Sequence, residues 1–427
     1  MASDSVVNHS FDIERGSKTC RGCGSRELFS ALDLGHLPIA NELSDSGNFQ
    51  VDSYPLHLKI CKSCCLGQVA DVVTRERIFK DYRYLSSTSS TFLQHAKEFV
   101  DQCVQKYGIS NEDWVLEIAS NDGYLLKNFA KFGITAIGIE PAENVAEIAR
   151  NIGVSTISEF FGSHLAKELY EMYGFPKLII ANNVMAHVPD LNDFMKGIAL
   201  LSGPDTKISV ENPSLFNILF DSQFDTIYHE HYSYLSATSV SKLGLSAGLT
   251  LTSVQKLSTH GGSNRYWLEK SNPVKEEIHV QVAALIESEK TMGLFEELAW
   301  SNYAKKVNKI LLDFTIWINS AVAEGRRVVG YGAAAKASTL LNSSSTKDEL
   351  ISVIADASLE KQGRFMPPNS IEIISPSDLR IYQPTDVVIF PWNIKEEIAM
   401  FLQGALDQPF RMWCAIPEMH EVKIHDN

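Results

Sequence analysis

The chain has 427 residues, 38 Lys and Arg against 52 Asp and Glu, a formal net charge of −14, and 44% hydrophobic with 21% charged residues. That balance fits soluble globular domains and excludes a disordered chain. The acidic excess excludes binding of nucleic acid or an anionic membrane through a general basic surface. At this length two or three domains are expected. The N-terminal run MASDSVVNHSFDIERGS has no basic start followed by an apolar core, so it is not read as a secretory signal. No apolar run approaches a membrane span. Seven cysteines, gathered toward the N-terminus, do not suggest a disulfide framework, and a reducing, cytoplasmic setting is expected.

The first segment, up to residue 78, holds Cys20-Arg-Gly-Cys23 and Cys61-Lys-Ser-Cys64. Two C-x-x-C pairs bring four thiolates around one tetrahedral zinc, because each short loop keeps its two sulfurs on the same side of the ion. Four sulfurs leave no open position for water, which favours a structural ion over a catalytic one. Cys65 competes for the fourth ligand position, His36 and His57 lie between the pairs as alternative ligands, and a redox dithiol is the minority reading.

The second segment, residues 79–255, alternates strand and helix patterns. Trp114 to Ala119 reads as a buried strand, Ser120-Asn121-Asp122-Gly123 as a tight turn, and YLLKNFAKFG as helix-like. The strand ITAIGIEPA reaches Glu140, about 20 positions beyond the turn. VSTIS, PKLIIANNV and TKISVEN are further strands, and the whole is a doubly wound α/β pattern. An acid at the end of the second strand accepts both hydrogen bonds of a ribose diol, while the loop after the first strand lets a ligand approach the backbone. Glu117, Ala119, Asn121, Asp122, Gly123, Glu140 and Pro141 therefore form a candidate site for an adenosine-bearing cofactor. Phe160 and Phe161 stand where an adenine stacks, or else are core; Asn182, Asn183 and His187 follow the fourth strand at the carboxyl edge, where such sheets bind ligands.

Within FDTIYHEHYSYLS the run Tyr228-His229-Glu230-His231 packs two imidazoles, a carboxylate and a phenol into four positions. As a strand it sends His229 and His231 to one face and Tyr228 and Glu230 to the other. As a turn it lets all four line one cavity. Groups that exchange protons near neutral pH at this density point to general acid/base chemistry on a substrate that loses a C–H or O–H proton; a metal-binding or structural histidine cluster is the alternative.

The third segment, residues 256–427, opens with Thr259-His260-Gly261-Gly262-Ser263-Asn264-Arg265 and continues through a long polar helical region. Gly330, Gly332 and Ala335 then fit G-x-G-x-x-A between a strand and a helix, and Asp356 ends the next strand-like run. Read alone, this is a nucleotide-binding βαβ unit, with an NAD-dependent nucleotide-sugar epimerase or dehydrogenase as the competing function. Lys336, Lys361 and Arg364 add the positive charge that a diphosphate requires.

Taken together, the strings CRGCG with CKSCCLGQ, LEIASNDGYLL, NNVMAHV, VENPSLFN, FDTIYHEHYSYLS, HGGSNRYWLE, VVGYGAAAKASTLLN, EKQGRFMP and FPWNI make the chain resemble the SAM-dependent sugar C-methyltransferases of deoxysugar biosynthesis over nearly its whole length. The resemblance implies an α/β fold: an N-terminal zinc-binding module, a class I SAM-methyltransferase (Rossmann-like) domain, and a second, C-terminal Rossmann-like domain that helps hold a nucleotide sugar. It implies S-adenosyl-L-methionine as cofactor, His231 as general base, and Tyr228, Glu230, His187 and Tyr82 as its companions, Tyr84 being an equally placed phenol. His260, Arg265, Tyr331, Lys336, Asn342, Lys361 and Arg364 complete the expected substrate set. The expected substrate is a 4-keto-deoxysugar on a nucleoside diphosphate, dTDP foremost, methylated at C3 after enolisation. Two departures stand out: Ala119 replaces the usual glycine of the cofactor loop, and the run Pro368-Asn369-Ser370-Ile371-Glu372-Ile373 differs from the family's PGTHIPI-like string.

Overall fold

The structure, a computed structural model, describes residues 18–47, 51–70, 73–79, 85–88, 90–271, 279–346, 348–368 and 371–423. Tyr82, Tyr84, Asn369 and Ser370 lie outside the described residues. Among those described, no helix is long and apolar enough to cross a membrane.

Three sheets organise the chain. The central one has seven strands in the spatial order Leu249–Leu257, Ser263–Lys270, Lys207–Pro213, Leu178–Asn182, Trp114–Ile118, Thr135–Ile139 and Ser155–Ile157. The last five are mutually parallel, and Ser263–Lys270 runs antiparallel to both neighbours. Trp114–Ile118 and Leu178–Asn182 are buried almost throughout because helices cover both faces, as their unbroken apolar runs demand. Strand order reverses between these two, and at that switch point loops on the carboxyl edge open a crevice. Each of the five strand patterns read from the sequence between residues 114 and 213 is a strand here. The stretch after the cofactor loop is not an α-helix but a 3-10 turn, Leu126–Phe132, closed by Gly133 in the left-handed conformation (φ 68°).

The expected division at residue 255 falls inside the strand Leu249–Leu257. This strand and its hairpin partner Ser263–Lys270 complete the central sheet, so HGGSNRYWLE packs with the second segment rather than the third. The third sheet has the order Ile373–Ile374, Ile354–Ala355, Val328–Tyr331, Asp386–Ile389, Arg411–Cys414 and His420–Val422, parallel except for the last strand. Gly332, just after Val328–Tyr331, has φ 90°, and a Cβ there would stand 2.3 Å from the Pro391 ring. Only glycine satisfies both conditions.

The long helix Glu297–Ala323 is polar only on its outer face. Trp300, Tyr303, Val307, Ile310, Phe314, Ile318 and Ala321 recur at three- and four-residue spacing and are buried. That seam joins one apolar core shared by Leu56, Leu58 and Ile60 of the N-terminal sheet and by Val328, Ile354 and Val388 of the third sheet.

The N-terminal sheet is antiparallel, in the order Leu28–Pro38, Ser53–Cys61, Gly67–Gln68 and Ser233–Tyr234. Its fourth strand comes from the run immediately after Tyr228-His229-Glu230-His231. The Ser236 hydroxyl also donates to the Cys65 carbonyl at 3.0 Å. The histidine-rich segment is therefore tied into the cysteine-bearing module.

Candidate active site

A cavity of about 1480 Å³ is bordered by all three sheets. Ile39 and Asn41 come from the N-terminal module; Ala119, Asn121, Glu140, Asn183 and His187 from the carboxyl edge of the central sheet; Tyr331, Lys336 and Lys361 from the third. Tyr228, Glu230, His231 and His260 line the same space.

Tyr228-His229-Glu230-His231 forms a turn, with the His231 amide donating to the Tyr228 carbonyl at 3.0 Å. Three of the four side chains line the cavity. His229 instead points into the N-terminal module, where its Nε2 donates to the Tyr54 carbonyl at 3.2 Å and its ring meets the Tyr54 ring edge-on. At His231 the Nδ1–H donates to the Thr226 carbonyl (3.0 Å), which fixes the tautomer and leaves Nε2 as the basic lone pair. That lone pair receives the Tyr228 hydroxyl at 2.8 Å. The His187 ring lies 4.6 Å from that of His231 and donates from Nδ1 to the Glu230 carbonyl at 2.8 Å. Burial holds His231 well below the usual histidine range and brings His187 down to about 4, so both are neutral at pH 7.

The Glu230 carboxylate orients no imidazole. Its Oε1 accepts from the backbone and side-chain nitrogens of Asn41, both at 3.1 Å, and Oε2 is buried without a hydrogen-bond partner among the described residues. The histidine is steered by the Glu230 backbone carbonyl instead. Asn41 was not legible as a site residue, because its partner lies 189 positions away.

The cofactor set gathers at the switch point. Ala119 (φ 56°) and Asn121 (φ 49°) both adopt the left-handed conformation, which costs an alanine roughly 1–2 kcal/mol. The Glu140 carboxylate accepts from the Asn121 and Ala142 amides at 3.0 and 2.9 Å, and burial raises it to about 7. Pro141, Phe160, Phe161, Asn182 and Asn183 line the cavity, and the side-chain oxygens of Asn182 and Asn183 are buried acceptors without partners among the described residues. Glu117, Asp122 and Gly123 stand behind the lining: Glu117 is enclosed in its strand and Asp122 accepts from the Ser87 amide at 3.1 Å. Acceptors and carboxylates with spare lone pairs fit a ligand bearing an ammonium, a ribose diol and an exocyclic amine, as S-adenosyl-L-methionine does.

The expected substrate residues divide. His260, Tyr331, Lys336 and Lys361 line the cavity. Lys361, however, donates to the Ala333 carbonyl (2.9 Å) and pairs with Asp356 at 3.5 Å. Asp356 itself holds the Ala333 and Ser358 amides, so it serves the loop rather than a ribose. Arg364 turns to Asp45 at 2.9 Å, and Asn342 donates to Ser338 and to the Pro367 carbonyl. Arg265 pairs with Glu211 at 2.6 Å, the two side chains being 3% and 1% exposed. None of these last three lines the cavity. Arg364 and Arg265 each found a carboxylate remote in sequence, which spacing alone does not reveal.

The Arg265–Glu211 pair buttresses the site. The Glu211 backbone carbonyl accepts from the Asn183 amide, and its carboxylate accepts from Thr259 beside His260. Arg265 and His95 hold the Glu211 carboxyl down at about 2 against the desolvation that burial imposes. Arg265→Met strands a buried carboxylate, and a loss of roughly 3–5 kcal/mol is expected from urea unfolding. The depressed Glu211 contributes stability that is present above its unfolded value near 4.5 and is lost as pH falls toward 2. His229, lowered to about 4, acts in the same direction from about pH 6.5 downward. Below about pH 4.5, where raised carboxylates such as Glu140 are protonated in both states, urea midpoints of the wild type should therefore fall toward pH 2; a flat profile there would contradict this.

In the N-terminal module the sulfurs of Cys20, Cys23, Cys61 and Cys64 lie within 4.8 Å of one another, a cage that fits a zinc ion. Cys65 turns away, its Sγ directed at the Leu294 carbonyl (3.7 Å), and His57 bonds Ser30. Neither competes for the ion.

Strand order, cofactor loop and switch-point crevice define a class I SAM-dependent methyltransferase. Three family models match in series: a zinc binding domain over residues 20–79, a methyltransferase domain over 92–254 and a C-methyltransferase C-terminal domain over 258–417. The chain is 31% identical over 411 residues, 95% of its length and 97% of the relative's, to C-methyltransferase NovU of Streptomyces niveus. It belongs to this C-methyltransferase family, with S-adenosyl-L-methionine and zinc as its cofactors. Among solved structures it is similar to magnesium protoporphyrin IX methyltransferase of Synechocystis, at 14% identity and TM-score 0.34 over 46% of this chain and 92% of that one. It is also similar to the PH0226 protein of Pyrococcus horikoshii, at 15% identity and TM-score 0.36 over 46% and 98%.

Proposed function

We propose that the chain methylates a carbon beside the keto group of a nucleoside-diphosphate 4-keto-deoxysugar, at C3 and with dTDP as the carrier. The observation that carries the reading is the neutral His231 Nε2, facing a cavity shared by the cofactor loop and the third sheet. A carbon nucleophile forms readily only next to a carbonyl, so a base in this position calls for a keto substrate.

S-adenosyl-L-methionine supplies an electrophilic methyl group when bound. His231 Nε2 takes the C3 proton, and the electron pair spreads onto the 4-keto oxygen. A positioned base contributes about 10²- to 10⁴-fold, which leaves the rest to stabilisation of the enolate. The Tyr228 hydroxyl, released from Nε2 as that atom is protonated, turns to the enolate oxygen; a preorganised donor of this kind supplies about 3 kcal/mol. The Thr226 carbonyl keeps Nδ1–H engaged and stabilises the imidazolium as it forms. Asn41 and Glu230 form the wall contributed by the N-terminal module.

Incubation with S-adenosyl-L-methionine and a panel of dTDP-4-keto-deoxysugars, followed by mass analysis, should show one member gaining a methylene's mass. A panel without any gain would remove the sugar assignment.

A further inference from the structure

Resting on that reading, we propose that Lys336 of the third sheet's domain is a catalytic residue whose ammonium faces the substrate's keto oxygen, rather than a cation for the diphosphate. Lys336 sits in the first turn of the helix Ala335–Ser343 and lines the cavity with Tyr228, His231 and His260. Three residues on, the Thr339 hydroxyl donates to the Ile227 carbonyl at 3.2 Å, next in sequence to Tyr228. Positions three apart share a helix face, so the contact that docks the helix on the catalytic turn also brings Lys336 to it.

A second contact fixes the ammonium. The Trp392 indole donates to Asp225 at 2.8 Å, and Lys336 Nζ lies 4.8 Å from the centre of the Trp392 ring. Asp225 belongs to the short turn Phe224–Thr226 whose last carbonyl accepts from His231. Of the three cations read from the sequence as diphosphate ligands, Arg364 pairs with Asp45 and Lys361 with Asp356. Lys336 has no carboxylate within 4.0 Å among the described residues, so its charge faces the cavity. Burial lowers His231 and His260 most, with His187 adding to it at His231, and the Lys336 charge lowers both further.

The step balances without proton transfer to the lysine. The C3 proton passes to His231 Nε2, the C–H pair becomes the C3–C4 double bond, and the carbonyl π pair becomes the oxyanion beside the ammonium. When the new C–C bond forms, the pair returns, the carbonyl is restored, the sulfonium becomes a neutral sulfide, and the imidazolium releases its proton to water.

The test compares the wild type with Lys336→Met, Lys336→Gln and Lys336→Arg, using the dTDP-4-keto-deoxysugar that the wild type turns over. Turnover and solvent-deuterium exchange are measured against pH, with S-adenosyl-L-methionine affinity as the control for folding. The Met and Gln variants should lose about 10²- to 10³-fold in kcat with little change in KM. The acidic limb of their pH profiles should move upward, because removing the cation raises His231, and Arg should restore part of the rate. Unchanged kcat and pH limb with a raised KM would return Lys336 to the diphosphate and overturn the proposal. A wild type that neither exchanges nor methylates any of these sugars would overturn the enolisation reading, and this assignment with it.

Discussion

His231→Asn should lower methyl transfer about 10²- to 10⁴-fold and abolish solvent-deuterium exchange at the sugar's C3, while leaving S-adenosyl-L-methionine affinity unchanged. Asparagine keeps a donor for the Thr226 carbonyl but offers no basic lone pair where Nε2 meets the Tyr228 hydroxyl. The cofactor-loop residues Asn121 and Glu140 are held by contacts of their own, so binding of the methyl donor is separable from the base. Burial keeps His231 and His187 neutral, and the acidic limb of kcat/KM should lie below pH 6.5. Exchange persisting in the variant at the wild-type rate would remove His231 from the base role.

The second large effect is expected far from the substrate. Cys64→Ser, or extraction of the zinc by a chelator, should unfold the N-terminal module and abolish turnover. A structural zinc contributes about 10–16 kcal/mol of binding free energy in small zinc domains at pH 7, more than most domains have in reserve. No cysteine of the cage lines the cavity. Activity should fail nonetheless, because Ser233–Tyr234 is the fourth strand of that module's sheet and Ser236 is bonded to the Cys65 carbonyl. Losing the sheet frees the turn that carries His231 and removes Asn41 from Glu230. Hydrogen exchange should rise together at residues 53–61 and 233–234 on chelation. A zinc-free chain with full activity would show that the module is dispensable for the site.

What the sequence made legible follows from how local each signal is. The zinc cage was readable because each C-x-x-C loop fixes its own sulfur pair, so only the pairing of two knuckles remained to be found. The central strands were readable because buried parallel strands are short unbroken apolar runs, and Glu140 because it directly follows one of them. The direction of the histidines was not: a turn at Tyr228-His229-Glu230-His231 breaks the alternation a strand would impose, and His229 leaves the cavity while His231 enters it. Cations were the least legible. Lys336, Lys361, Arg364 and Arg265 look alike in sequence, and their roles separate only once Asp356, Asp45 and Glu211 come within reach. The Trp392–Asp225 bond, spanning 167 positions, belongs to the same class of long-range fact.

The account rests on carbon, rather than oxygen or nitrogen, as the methyl acceptor. Turnover of a dTDP-4-keto-deoxysugar with methyl-labelled S-adenosyl-L-methionine, read by carbon NMR, tests this most directly. The label should appear as a methyl group bonded to C3, adjacent to the intact 4-keto carbon. A label found on a hydroxyl oxygen, or on a carbon with no neighbouring carbonyl, would contradict it.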